Sequence, residues 1–265
     1  MRITSPDNPL VRRLRRLADS ARACRETGRT LAEGLHLIEA ALAAKVEILT
    51  LVTRGHASPA VAALVGRVQA ADATGRLKCV ELGAALYDAI APVEHGVGVL
   101  AEIGIPAADT APASNEDAVY LDAVQDPGNV GTLLRTAAAA GVRRVVTGPG
   151  SACVWAPKVM RAAMGAHFAL QVAENIDVAA VAGNFRGTVI AADVEGEDLY
   201  AAEWGRGPTL WLFGSEGQGL SAEARAAAGL RLRVPLAPAV ESLNVAAAAA
   251  VCLFEQARRR RRFVP

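Results

Sequence analysis

In the second half of this chain, short apolar runs alternate with helical periods, and three of the runs lead into polar, glycine-bearing stretches. These are Asp126–Arg135 (DPGNVGTLLR), Phe213–Ser221 (FGSEGQGLS) and Val234–Asn244 (VPLAPAVESLN). Near-continuous apolar strands separated by helices fit a parallel sheet covered on both faces, and they fit little else. An open sheet of that kind places its ligand at the loops just past its strands. Backbone N–H and C=O groups are unpaired there, and glycine admits a close approach. Three such loops in one domain imply one composite pocket.

The runs read as strands are AVYLDAV, VRRVVTG, FALQV, GTVIAAD, TLWLFG and LRLRVP. About six parallel strands with helices between them describe a doubly wound α/β sheet over residues 118–265. Upstream, Leu10, Val11, Leu14, Leu17, Ala18 and Ala21 recur at helical spacing, with Arg12, Arg13, Arg15, Arg16 and Arg22 between them: an amphipathic helix with a basic face. After it, TLAEG, VEILTLV, KCVEL and VGVLAEI alternate with helical segments, which predicts a smaller α/β domain over residues 1–104. Residues 105–117 (IPAADTAPASNED, with its two prolines) show no apolar period and read as a linker.

The net charge of +1 hides a polarised distribution. Residues 1–30 hold eight arginines against Asp7, Asp19 and Glu26, and Arg258–Arg262 form an unbroken basic run. Local potential, rather than the total, decides whether a phosphate backbone is attracted. The C-terminal run reads either as such a patch or as a solvated helix end where cations oppose the helix dipole. The four cysteines (24, 79, 153, 252) lack metal-ligand or C-x-x-C spacing and read as free thiols in a reducing compartment. The histidines at 36, 56, 95 and 167 are dispersed and read as structural, and no metal site is expected. The opening MRITSPDNP has no apolar h-region, and the apolar run Leu243–Phe254 falls short of the ~20 residues needed to cross a bilayer. A cytoplasmic protein without membrane contact is expected.

No G-x-x-x-x-G-K-[ST] stretch is present, so a P-loop is excluded, and neither GPGSAC nor GSEGQG has the glycine order of a dinucleotide fingerprint. In the first loop Pro127-Gly128 makes the turn, Asn129 is positioned to cap the following helix, and Arg135 lies nearly two helical turns on. In the second, Gly214 permits close backbone approach, Glu216 sets a carboxylate near the sheet's end, and Ser221 is a cap candidate. The third places Ser242 and Asn244 at the entry of an Ala-rich helix, whose unpaired N–H groups face the same volume.

At these residues the chain resembles the SpoU-type 2′-O-ribose RNA methyltransferases of the SPOUT superfamily. Their three motifs run in the order DP-x-N-x-G-x-x-x-R-T, G-[SA]-E-G-x-G and [IV]-P-[ML]…SLNV. The segment Lys158–Ala166 and the opening ITSPDNPLVRRLRRL…TLAEGLHLIEAAL are also similar, the latter to the family's N-terminal substrate-binding domain. The resemblance implies a trefoil knot, with the third loop's segment threading through the second, and S-adenosylmethionine as the methyl donor, leaving S-adenosylhomocysteine. It implies that Gly214, Val234, Leu236 and Leu243 hold the adenine and ribose, and that Asn129, Arg135, Glu216, Ser242 and Asn244 surround the acceptor. It also implies a homodimer, with Arg135 beside the partner's site as a general base or as a positioning group. Pro238 departs from the family, standing where relatives often have Gly.

The implied substrate is structured RNA, 23S ribosomal RNA first, with transfer RNA or a non-catalytic RNA-binding role as alternatives. Arg12, Arg13 and Arg16 are candidate RNA contacts. Tyr87 is the only aromatic residue among the first hundred, so recognition through shape and phosphates is expected over base stacking.

Overall fold

The computed structural model describes residues 1–55, 57–91, 96–107 and 115–261, and for Arg261 only the backbone. His56, His95, Arg262 and linker residues 108–114 lie outside the described residues. The chain divides into two compact units. One comprises Met1–Ala107 with Trp155–Phe168, the other Ala108–Val154 with Ala169–Pro265.

In the first unit the elements run β1 (Arg2–Ile3), α1 (Pro9–Asp19), α2 (Ala21–Thr27), β2 (Arg29–Glu33), α3 (Leu35–Ala43), β3 (Ile48–Arg54), α4 (Pro59–Ala71), β4 (Lys78–Leu82), α5 (Ala84–Asp88) and β5 (Val99–Gly104). The strands form a mixed sheet in the order β1-β4-β3-β5-β2, with β2 and β3 antiparallel to β5. Helix α1 opens on Asn8, whose side chain accepts from the N–H of Leu10, and on Pro9 at its first turn. It buries Leu10, Val11, Leu14 and Leu17. The sequence predicts one helix through Ala21, but the structure breaks it at Ser20. The Ser20 side chain caps a separate helix α2 by accepting from the N–H of Ala23 at 3.2 Å. A good N-cap ends one helix by starting another.

From residue 118 onward the order along the chain is β6 (Ala118–Asp122), α6 (Pro127–Ala139), β7 (Arg144–Thr147), α7 (Pro157–Ala163), a 3-10 turn (Ala166–Ala169), β8 (Gln171–Ala173), α8 (Val178–Gly183), β9 (Thr188–Asp198), β10 (Thr209–Gly214), α9 (Ala222–Ala227), β11 (Leu230–Arg233) and α10 (Val245–Arg261), and all of these strands belong to the second unit. Its strands are all parallel, in the order β11-β9-β10-β6-β7-β8. The expected six-stranded parallel sheet is therefore present, with two local differences. The run FALQV is not one strand: its Phe-Ala half is 3-10 turn and only its last two residues belong to β8. The run GTVIAAD continues as strand to Asp198 and pairs with β11 through a register shift at Arg231/Leu232.

Strands β6 and β10 are buried almost throughout, as strands covered on both faces must be. Inside, Trp211 stacks on Phe213 with ring centroids 5.8 Å apart. From β11 at the sheet's edge the chain runs back through 234–244 into α10, which packs on α6 and β10. That return brings the third loop to the carboxyl end of the central strands, the course the resemblance requires. Although α7 falls between β7 and β8 in sequence, its segment packs on β2 and belongs to the first unit.

Candidate active site

Helix α6 begins at the carboxyl end of β6. Its N-cap is Asp126, whose Oδ1 accepts the N–H of Asn129 at 2.8 Å, so the sequence expectation that Asn129 caps this helix is corrected. The aspartate wins because it precedes Pro127, which takes the first helical position. Relieved of capping, the Asn129 side chain joins the other two loops. Its Nδ2 donates to Glu216 Oε1, and its Oδ1 accepts from Asn244 Nδ2 at 3.0 Å. Asn244 in turn caps α10, its Oδ1 accepting from the N–H groups of Ala246 and Ala247 at 2.9 and 3.3 Å. One hydrogen-bonded chain, Glu216–Asn129–Asn244, therefore ties together the three sequence motifs.

The second loop closes on itself. Ser215 and Gly219 exchange backbone hydrogen bonds of 3.0 and 2.9 Å, and a Cβ at Gly214 would lie 2.2 Å from the carbonyl carbon of Gly219. Glycine is required at 214 because the chain itself makes the close approach. Ser221 is the cap of α9, as expected, and its own N–H donates at 2.6 Å to Asp122, the buried last residue of β6. The third loop contains a turn in which Val240 N–H bonds Ala237 C=O at 3.0 Å, with Pro238 second in the turn. Pro238 sits where its fixed φ is favourable, so the departure from the family strains nothing.

Between these loops lies a cavity of about 590 Å³, well within the range of small-ligand sites. Gly214, Glu216, Val234, Leu236, Ser242 and Leu243 all line it, so every expected cofactor residue is present on its wall. Leu220, Leu232 and Val245 add apolar surface suited to a flat base. Cys252 also lines the cavity, and burial pushes its thiol up to about 12, so it is a neutral apolar wall.

Arg135 stands apart from this chain of hydrogen bonds. It is exposed on α6, with no hydrogen bond or ion pair to any described residue. Six residues from Asn129 corresponds to about 240° around a helix, which turns the two side chains to different faces. In the first unit, Arg12 is exposed and unpaired among the described residues. Arg13 is committed to buried Glu102 by bonds of 2.9 and 3.0 Å, and Arg16 pairs with Glu26 at 2.8 Å. Tyr87 is 1% exposed, so it presents no ring to a base. His167 is buried beside Trp155, with ring centroids 4.9 Å apart, a structural place as expected. Among the described residues no cluster could hold a metal ion, and no helix is long and apolar enough to cross a membrane.

Sequence reasoning missed Asp122, Asp193 and Arg225. The signal for the first and second was an acid closing an apolar run, in YLD and IAAD.

Comparison with known proteins places these features in a family. Residues 117–254 match the SpoU rRNA Methylase family, and residues 8–101 match the MRM3-like substrate binding domain. An uncharacterized tRNA/rRNA methyltransferase of Synechocystis is 33% identical over 261 residues, covering 97% of this chain and 93% of that protein. The 23S rRNA (guanosine(2553)-2′-O)-methyltransferase of Bacillus subtilis is 31% identical, over 86% of this chain and 88% of its own. Among solved structures, the AdoMet-bound rRNA methyltransferase of Sinorhizobium meliloti superposes with a TM-score of 0.83 at 29% identity, covering 98% of each chain.

Proposed function

The chain belongs to the SpoU rRNA methylase family, and on that premise we propose that it transfers a methyl group from S-adenosylmethionine to a ribose 2′-hydroxyl of structured RNA, with 23S ribosomal RNA as the target. Transfer RNA is the alternative. The observation that carries this reading is the Glu216–Asn129–Asn244 chain beside an apolar cavity of cofactor size. Residues 118–265 perform the transfer, residues 1–104 grip the RNA, and 105–117 join them. The family matches over 117–254 and 8–101 support that division.

S-adenosylmethionine bound in the cavity supplies a methyl already activated on a positive sulfur. The protein's task is therefore alignment, which lowers a barrier by fixing reactants in attack geometry. Backbone groups of Gly214, Val234, Leu236 and Leu243 hold the adenine and ribose, and the apolar wall excludes water. Asn129, Glu216, Ser242 and Asn244 surround the acceptor. Because its two partners fix the Asn129 amide, that side chain is oriented before substrate arrives. Arg135 holds an RNA phosphate and the hydroxyl in line, and the proton leaves to phosphate or water, since a guanidinium stays protonated.

Arg135 acts from one protomer beside the site of its partner in a homodimer. Its exposure and lack of a partner among the described residues support this, as does the 51% exposure of Phe254 on α10. The setting is the cytoplasm, in keeping with four cysteines none of which is in a disulfide.

The test is transfer of labelled methyl to ribosomal and transfer RNA, followed by nuclease digestion, because a 2′-O-methyl blocks cleavage at its own 3′ side. Arg135→Ala should lower transfer about a hundredfold or more, with S-adenosylhomocysteine affinity held within about twofold. Transfer that survives in Arg135→Ala removes the residue from the mechanism.

A further inference from the structure

The same cavity has a polar wall that the three motifs leave unexplained. Asp193 lies in β9 and lines the cavity, with 7% of the residue and 2% of its side chain exposed. Its Oδ1 accepts the N–H of Glu195 at 3.1 Å. Its Oδ2 makes no hydrogen bond to any described residue, although Arg225 Nε stands 3.3 Å away and Arg231 Nη1 3.9 Å away. Arg225, on α9, lines the cavity as well, and its Nη2 lies 3.6 Å from where a Cβ at Gly219 would be. Its guanidinium thus reaches from β9 to the second loop without hydrogen-bonding any described residue.

A buried acceptor without a donor costs about 1–3 kcal/mol, and structures rarely carry that cost without a function. Arg225 offsets the charge of Asp193 but leaves a lone pair free. A ligand in the cavity would bring the missing donor.

The surroundings select the kind of donor. Arg225 and Arg231 already stand 3.3 and 3.9 Å from Asp193 Oδ2, and two positive charges at that oxygen oppose a third from an ammonium. The neighbouring walls at Leu220 and Leu232 are apolar and buried, which suits the flat, neutral end of a ligand. We infer that Asp193 Oδ2 accepts a hydrogen bond from a neutral N–H or O–H of the adenosine half of the cofactor, with Arg225 holding the carboxylate in place. The inference rests on the cofactor reading above and adds to it a residue outside the three motifs.

Isothermal titration of the full-length protein with two ligands tests it. S-adenosylhomocysteine carries both halves of the cofactor, while 5′-methylthioadenosine lacks the amino-acid end. Asp193→Ala should weaken both by the same factor, about ten- to a hundredfold, as for a buried bond to a charged acceptor. Asp193→Asn, of equal size and still an acceptor, should melt like the wild type and weaken both ligands equally but severalfold only. It keeps the test decisive if the alanine variant does not fold. A loss confined to S-adenosylhomocysteine overturns the inference in favour of the amino-acid end, and unchanged affinity for both ligands overturns it outright. Wild-type protein that binds neither ligand sinks the cofactor reading itself, a separate result.

Discussion

Helix α1 and the last turns of α10 carry arginine at similar density, yet they use it in opposite ways. On α1, Arg12 and Arg15 are exposed and pair with no described residue, while Arg13 and Arg16 are taken by Glu102 and Glu26. On α10, every arginine with a described side chain is folded back onto its own chain. Arg258 and Arg259 both bond Glu255, and Arg260 bonds Asp117 and the carbonyl of Gly207. Arg259 also donates to the carbonyls of Leu199, Tyr200 and Ala202 and lies 4.6 Å from the centroid of the Trp204 ring. Of the two sequence readings of the basic C-terminal run, neither a phosphate patch nor a solvated helix end describes Arg259 and Arg260, which are a clamp, while Arg258 is exposed and pairs within its own helix. What separates the two helices is the supply of acceptors around each.

The strongest way to break that contrast is Arg259→Ala. Its side chain is 13% exposed, and losing several charge-assisted bonds and the ring contact should cost about 3 kcal/mol. For a chain of this size that is a fall of roughly 5–10 °C in melting temperature. A melting temperature within a degree of wild type would show the run to be surface charge after all.

Next in size is the effect on RNA affinity. Removing Arg12 and Arg15 together should flatten the slope of log affinity against log salt by about two contacts' worth, roughly 1.4–1.8. Melting should stay within about a degree, because neither side chain bonds the fold. Arg258→Ala should leave the salt slope unchanged. If it flattens the slope by about one contact's worth, the end of α10 is also an RNA surface and the contrast fails.

The contrast also marks how far sequence carries. Periodicity located the strands of both sheets except β1, whose two residues are too few to show a period, and the three loops were legible because glycine, asparagine and glutamate follow buried runs. What linear pattern cannot supply is which acceptor a side chain will find. Asp126 takes the cap that Asn129 was expected to make, and this frees Asn129 to join Glu216 and Asn244 across 87 and 115 residues of chain. Partners of Arg259 lie up to 60 residues away and are mostly carbonyls, which no residue type announces. Segment 155–168 lies between β7 and β8 in sequence but packs with the smaller unit, a long-range contact with β2 that no local pattern announces. Asp193 was invisible because an acid at a strand's end is ordinary until the cavity beside it is known.

The smallest expected effect examines the contrast from the side of the carboxylates. Glu255, held by two arginines, has its carboxyl brought down to about 2, chiefly by its hydrogen bond to Arg258. Glu33, at the end of β2, has neither carboxylate oxygen hydrogen-bonded to a described residue, and burial raises it to about 7, with Arg161 opposing only through space. Their pH dependences therefore run in opposite directions. A carboxyl raised in the fold favours the folded state while protonated, so the contribution of Glu33 is complete below its unfolded value near 4.5 and disappears as pH rises through about 7. The contribution of Glu255 is complete above about 4.5 and disappears as pH falls toward 2. Glu33→Gln, which mimics the protonated acid, should melt with wild type at pH 5 and above it at pH 8. After allowance for solvent screening the gain is about 1 kcal/mol, or ~2–4 °C. A gap that stays constant between those two pH values would mean that Glu33 finds a donor in solution, and that the two carboxylates do not differ in their supply of partners.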